Sequence, residues 1–210
     1  MSDNANIEYP NRIGVVIPIG NEISNIERFL DETLRYVRPN DRIYCILDYV
    51  STDGTRAVVE ARSKSDARLV LIWAPENECL ADAYYAGYEA AYSEDCGWIL
   101  EIDAGFSYSP EKIPEFFAAM ECGYDFVCGS RFIRGGGHRS PLIRRMWSFG
   151  ATTLTRLIAG TRMTDSTGGF ECFTRSALSH VLKNRVKSRG NFFHAEIRQM
   201  MGKRAADTHG

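Results

Sequence analysis

Short apolar runs alternate along the chain with segments whose apolar residues recur at helical spacing. RIGVVIPIG is a β-branched stretch and the first predicted strand, stopping at Pro18. From Ser24, SNIERFLDETLRYV puts Ile26, Phe29, Leu30, Leu34 and Val37 on one helical face, with Ser24 and Glu27 as a capping box. RIYCIL (42–47) predicts a second strand, and STDGT a turn into a helix over 55–64. ARLVLIW (67–73) predicts a third strand, LADAYYAGYEAAY (80–92) an alanine-rich helix, and GWILEID (97–103) a fourth strand. Ser109 is the expected N-cap of SPEKIPEFFAAM, with Pro110 at its first helical position. YDFVCGS (124–130) predicts a fifth strand, and further helices are expected near 176–183 and 191–202.

Continuous apolar strands separated by helices predict an α/β fold with a mostly parallel sheet covered on both faces. Ligands of such sheets sit beyond the carboxyl ends of the strands. Asp48, Asp103 and the Gly129-Ser130-Arg131 turn all fall at those ends. One carboxylate at a strand's end suits a cation and a phosphate, but it equally suits a turn.

Composition narrows the class. A chain of 210 residues with 44% hydrophobic and 25% charged residues reads as one ordinary globular domain. Its net charge of −2 predicts no general attraction to nucleic acid or anionic membrane. The six cysteines form no CxxC pair, which predicts buried free thiols and a reduced, cytoplasmic setting. The polar, acidic N-terminus is not a signal peptide, and no apolar run approaches the ~18 residues of a membrane span.

The distribution of charge says more than the total. Residues 126–164 hold no Asp or Glu but seven arginines: 131, 134, 139, 144, 145, 156 and 162. Guanidinium forks suit phosphate, so an anion partner is one account and a solvated basic face the other. The apolar side of PLIRRMWSFG could meet a bilayer surface or pack in the core. No GxGxxG follows the first strand and no GxxxxGK[ST] occurs, which disfavours dinucleotide binding and P-loop hydrolysis. PIGNE also lacks the Lys/Arg-containing glycine loop of a nucleotidyltransferase.

VVIPIGNEISNIERFL, LDYVSTDGT, ILEIDAG, YDFVCGSRF and DSTGGFECFTR occur in an order and spacing that resembles the GT-A glycosyltransferases of family 2, most of all the polyprenol-phosphate (dolichol-phosphate) mannose and glucose synthases. The resemblance covers residues 12–203 and implies a single Rossmann-like GT-A domain, with a nucleotide-sugar half (12–130) and an acceptor half (131–203) between flexible termini (1–11 and 204–210). It implies an inverting hexosyltransferase that uses a GDP- or UDP-linked donor and Mg²⁺ or Mn²⁺. Its favoured acceptor is a polyprenyl phosphate, met at the inner face of the membrane. A saccharide hydroxyl is the alternative acceptor, and a nucleotide- or polyanion-binding relative without turnover is the competing class.

The resemblance carries nucleoside binding to Pro18, Glu22 and Asp48, and cation and diphosphate binding to Asp103. It carries acceptor-phosphate binding to Arg131, Arg144 and Ser148. Asp165 is the candidate base for a hydroxyl acceptor, with a cap or turn role as the alternative. Asp53 reads as a cap of the second loop. Several positions depart from the family pattern: Tyr49 replaces a second Asp, Gly105 replaces the second Asp of DxD, and Glu171 stands where an arginine is usual. The glycine-rich segment has become Cys79-Leu80-Ala81-Asp82, and Ser107 is a further possible oxygen ligand. Glu101 shares a strand face with Asp103 if alternation holds, deeper in the sheet. The four histidines share no ligand spacing and read as structural or surface residues.

Overall fold

The computed structural model describes residues 9–130, 168–190 and 192–208. Strands β1 (Ile13–Ile19), β2 (Arg42–Leu47), β3 (Leu69–Trp73), β4 (Trp98–Ile102), β5 (Phe126–Cys128) and β6 (Phe170–Thr174) form one sheet in the order β3-β2-β1-β4-β6-β5. The first four are parallel, and β6 runs antiparallel to both of its neighbours. The helices are α1 (Ile26–Leu34), α2 (Thr55–Ser65), α3 (Leu80–Ser93), α4 (Ile113–Glu121), α5 (Arg175–Lys183) and α6 (Phe193–Thr208). A 3₁₀ turn, Pro110–Lys112, leads into α4, with Ser109 and Pro110 in the expected capping positions.

Strand alternation divides the core in two. Val15, Ile17, Leu100 and Ile102 pack on one face with Phe29 and Leu30 of α1, Val59 of α2 and Phe116 of α4. Val16, Ile99 and Phe173 pack on the other with Tyr84 and Tyr88 of α3, Leu178 of α5 and Phe193 of α6. Each fully buried side chain of this size contributes about 1.5–3 kcal/mol of transfer free energy. Glu101 and Glu171 belong to the α3–α6 face and are fully buried there, so polar groups interrupt that half of the core.

Several local expectations change. β1 continues through Pro18, which pairs with Ile46 of β2. The missing proline N–H is tolerated because β1 pairs with β4 only over Ile13–Val16, so that side of Pro18 has no ladder partner. Helix α1 starts at Ile26 with Asn25 as N-cap, not at a Ser24–Glu27 capping box. The backbone carbonyl of Glu22 accepts from the N–H groups of Asn25 and Ile26 instead. A capping interaction of that kind occurs at α3, where Asp82 Oδ2 accepts from the N–H groups of Glu78 and Cys79.

β6 was not assigned from the sequence: its apolar run, Phe170 to Phe173, is short and interrupted by Glu171 directly after two glycines. Residues 9–11, placed by sequence in a flexible terminus, are held against the sheet. Tyr9 packs edge-on against Trp98 and Phe117, and Arg38 donates to the Pro10 carbonyl. No helix among the described residues is long and apolar enough to cross a membrane.

Candidate active site

A cleft of about 250 Å³ opens where β1 and β2 end. Pro18, Asp48, Tyr49, Asn77, Cys79 and Leu80 are among its lining residues. Pro18 and Asp48, the expected nucleoside-binding residues, both line this cleft. Asp48 Oδ1 accepts from the Val50 N–H, which sets the turn after β2. Tyr49 and Leu80 are largely exposed at the rim, an apolar edge on which a planar ring can rest. The Asn77 side-chain nitrogen is buried without a hydrogen-bond partner among the described residues.

The loop after β1 is stitched to the loop after β2. Asn21 Oδ1 accepts from the N–H groups of Thr52 and Asp53, and Glu22 N–H donates to Thr55 Oγ1. Asp53 accepts from Ile23 N–H on one oxygen and from the Thr55 N–H and hydroxyl on the other. The Thr55 hydroxyl is the main cause that holds its carboxyl below the usual range. Asp53 is therefore a structural tie, in keeping with the cap expected of it.

Glu22 does not line the cleft beside Asp48. A Cβ built on Gly105 would lie 3.0 Å from Glu22 Oε1, so the Glu22 carboxylate stands beside the position where DxD carries its second acid. Its other oxygen accepts from Asn25 Nδ2. The loop after Asp103 is fixed by Phe106, whose φ of 53° is uncommon outside glycine. Its ring packs edge-on against Phe29 under Arg28, which offsets that backbone cost.

Asp103 follows β4, and its N–H donates to the carbonyl of Gly169. Tyr84 donates its hydroxyl to Asp103 Oδ1 at 2.6 Å. Burial, and then the Asp103 charge, push the Tyr84 pKa well above its ordinary value, so it remains a donor. The Gly168-Gly169 pair lets the chain pass against these groups. A Cβ on Gly169 would meet Tyr84 Oη at 2.4 Å and Asp103 Oδ1 at 2.6 Å.

Beneath Asp103 on the same face lies a buried polar cluster. Glu101 and Glu171 are directly opposite in the β4–β6 register. Tyr88 donates to Glu101 Oε2, and Arg198 of α6 donates to Glu171 Oε1 and to the Gly168 carbonyl. His194 Nδ1 lies 3.0 Å from Glu101 Oε1. Burial raises the Glu171 carboxyl to about 7, against the lowering effect of Arg198. Burial, the largest single effect, would lower His194, but Glu101, Glu171 and Asp103 together outweigh it and the imidazole is raised to about 8.

Glu171 is thus tied into the interior by Arg198 and is not an acid in an open phosphate site. Sequence spacing could not assemble this cluster, since its members come from β4, β6 and α6; two glutamates inside apolar runs were the available signal. Arg131, Arg144, Ser148 and Asp165 lie outside the described residues.

Residues 14–182 match the model of the family described as Glycosyl transferase family 2. The chain is 28% identical over 197 residues to the polyprenol monophosphomannose synthase of Mycolicibacterium smegmatis, covering 93% of this chain and 74% of that protein. It is 27% identical over 187 residues to the undecaprenyl-phosphate mannosyltransferase of Micrococcus luteus, covering 89% and 76%.

Among solved structures, it is similar to the glucosyl-3-phosphoglycerate synthase of Mycobacterium tuberculosis in complex with UDP, with a TM-score of 0.67 at 16% identity. That match covers 92% of this chain and 66% of the solved one. A second structure of that synthase, with Mn²⁺, UDP and glucosyl-3-phosphoglycerate, matches with a TM-score of 0.66 at 19% identity. These likenesses show the GT-A fold.

Proposed function

Because the chain belongs to glycosyl transferase family 2, we propose that it transfers a hexose, with inversion, from a nucleotide diphosphate sugar to a polyprenyl phosphate. The observation that carries this reading is that the Glu22 carboxylate stands against Gly105, two residues after Asp103, at the same carboxyl edge of the sheet as a cleft of about 250 Å³. Two relatives are named for transfer to polyprenol or undecaprenyl phosphate, and the arginine-rich segment 131–162 suits an anionic acceptor.

Pro18, Asp48 and the rim of Tyr49 would hold the nucleoside. Asp103 and Glu22 offer hard oxygen donors that fit Mg²⁺ or Mn²⁺, with the Glu22 carboxylate in place of the acid missing at Gly105. Such a cation supplies neutralisation of the diphosphate leaving group. Tyr84 fixes which Asp103 oxygen is turned inward, and so pre-organises the carboxylate.

An acceptor phosphate is already anionic, so its oxygen attacks the anomeric carbon without a strong general base as the bond to the diphosphate breaks. Arg131, Arg144 and Ser148 would orient that phosphate against its own charge. The protein would then work as a single domain at the inner face of the cytoplasmic membrane, in peripheral contact with it. A hydroxyl acceptor would need a base, for which Asp165 is the candidate. Gly105 favours a second reading, a relative that binds nucleotide without turnover.

Calorimetric titration of UDP- and GDP-sugars with and without Mn²⁺ tests the donor site, and absence of binding for every donor overturns it. Binding without release of nucleoside diphosphate in the presence of polyprenyl phosphate selects the second reading. Arg144→Ala is expected to abolish transfer to lipid phosphate. Retention of that transfer, with loss of transfer to a sugar hydroxyl, would reverse the choice of acceptor.

A further inference from the structure

Glu101 and Glu171 pose an electrostatic problem that Tyr88 and Arg198 solve only by half. They are cross-strand neighbours, both fully buried, and like charges directly opposite in a sheet destabilise it. Burying a carboxylate is costly unless it is paired and hydrogen-bonded. Tyr88 and Arg198 each occupy one oxygen of the pair. Glu101 Oε1, Glu171 Oε2 and His194 Nδ1 are buried without a hydrogen bond among the described residues. Although His194 Nδ1 and Glu101 Oε1 are 3.0 Å apart, their approach lacks hydrogen-bond alignment. One donor atom from each of the three residues lies within 4.8 Å of the other two.

We infer that Glu101, Glu171 and His194 form a buried site for a divalent transition-metal ion, separate from the donor cation at Asp103. Two donor atoms bound about 2.1 Å from one ion stand about 3.0 Å apart at the right angle of six-coordination and about 3.4 Å apart at the tetrahedral angle usual for Zn²⁺. The first is the separation of His194 Nδ1 from Glu101 Oε1. No two donors of one such ion stand more than about 4.2 Å apart, so a donor near the 4.8 Å limit of the set closes in by torsion of its side chain when the ion binds. One imidazole nitrogen with two carboxylate oxygens favours Zn²⁺ or Mn²⁺ over Ca²⁺ or Mg²⁺.

With Arg198 the two glutamates leave one net negative charge in the interior, which favours a bound cation. Bound there, the ion would join β4, β6 and α6 directly under the donor carboxylate. It would stabilise the folded chain as any ligand of the native state does. Because the site is closed, the ion enters on folding or by local opening.

The test is metal content in the full-length protein, produced with Zn²⁺ or Mn²⁺ and desalted after brief exposure to chelator. Wild type and Asp103→Asn should each retain about one equivalent by plasma mass spectrometry, as a closed structural site does. His194→Gln should retain about tenfold less or lower. A folded Asp103→Asn protein that retains no metal overturns the inference and leaves a proton as the cation of the cluster. Loss of the ion with Asp103→Asn but not with His194→Gln overturns it too, by assigning the ion to the donor site.

If His194→Gln does not fold, pulsed electron paramagnetic resonance of Mn²⁺-loaded Asp103→Asn decides. Nitrogen coupling to the ion supports the site, and its absence overturns it. Donor binding by wild type is measured separately, so failure here leaves the glycosyltransferase reading intact.

Discussion

Gly105→Asp restores the acid of the DxD pattern, and the geometry predicts that it harms the protein while Glu22 remains. The new Cβ would sit 3.0 Å from Glu22 Oε1, tighter than ordinary van der Waals contact, and would bring a second carboxylate against the first. At about 4 Å two such charges repel by about 1 kcal/mol in bulk water and about 4 kcal/mol at an effective dielectric of 20. Glu22 is partly buried, so the cost falls between those limits.

In a chain of this size each kcal/mol lowers Tm by about 2–4 °C. Gly105→Asp without a cation should therefore lose several degrees, and Mn²⁺ should recover most of the loss. Glu22→Gln keeps the bond from Asn25 but removes the charge. It should weaken Mn²⁺-dependent donor binding about tenfold, the equivalent of one lost interaction of about 1.4 kcal/mol. The double variant should recover both stability and binding, because the carboxylate introduced at position 105 then takes the place of the one removed from Glu22. Melting curves and calorimetric titrations of the four proteins complete the cycle. Unchanged metal-dependent binding in Glu22→Gln, or strictly additive effects in the double variant, would refute the substitution of one carboxylate for the other.

Tyr84→Phe removes the hydrogen bond to Asp103, and bonds to charged groups are worth about 1.5–3 kcal/mol. Donor affinity in Mn²⁺ should fall at least about tenfold with the fold retained, and titration would detect its survival. Gly169→Ala drives a methyl into Tyr84 and Asp103, which should cost about 1–3 kcal/mol in urea unfolding and lose donor binding together. Equal stability would mean that the backbone gives way. Arg198→Ala leaves Glu171 buried without its cation, a loss of about 3–5 kcal/mol by denaturant unfolding. A loss below about 1 kcal/mol would show that Glu171 is held neutral by other means.

The parallel β1–β4 frame was legible because each strand is a short apolar run followed by a periodic helix, and that local pattern decides where carboxyl ends fall. Asp48 and Asp103 were legible for the same reason: each stands where such a run gives way to a loop. Spacing failed wherever a contact depends on what the third dimension brings together. Gly105 read as the replacement of the second DxD acid, yet its missing Cβ leaves room for the carboxylate of Glu22, which arrives from the loop after a different strand.

Glu171 read as a misplaced acid on the assumption that its side chain faces a phosphate. The antiparallel register of β6 turns it inward, opposite Glu101 and toward Arg198. That register was hidden because spacing along the chain does not show which strand lies beside β4. Two acids inside apolar runs in one chain are the signal to look for, since buried like charges in a folded sheet need partners that neutralise them. The same physics makes Asp103 depend on what lies under it. Its position is set by Tyr84 and Gly169, and both rest on the face that the Glu101–Glu171 pair charges. A change that disturbs the neutralisation of that pair should therefore be felt at the donor site, without any contact between the altered side chain and the nucleotide sugar.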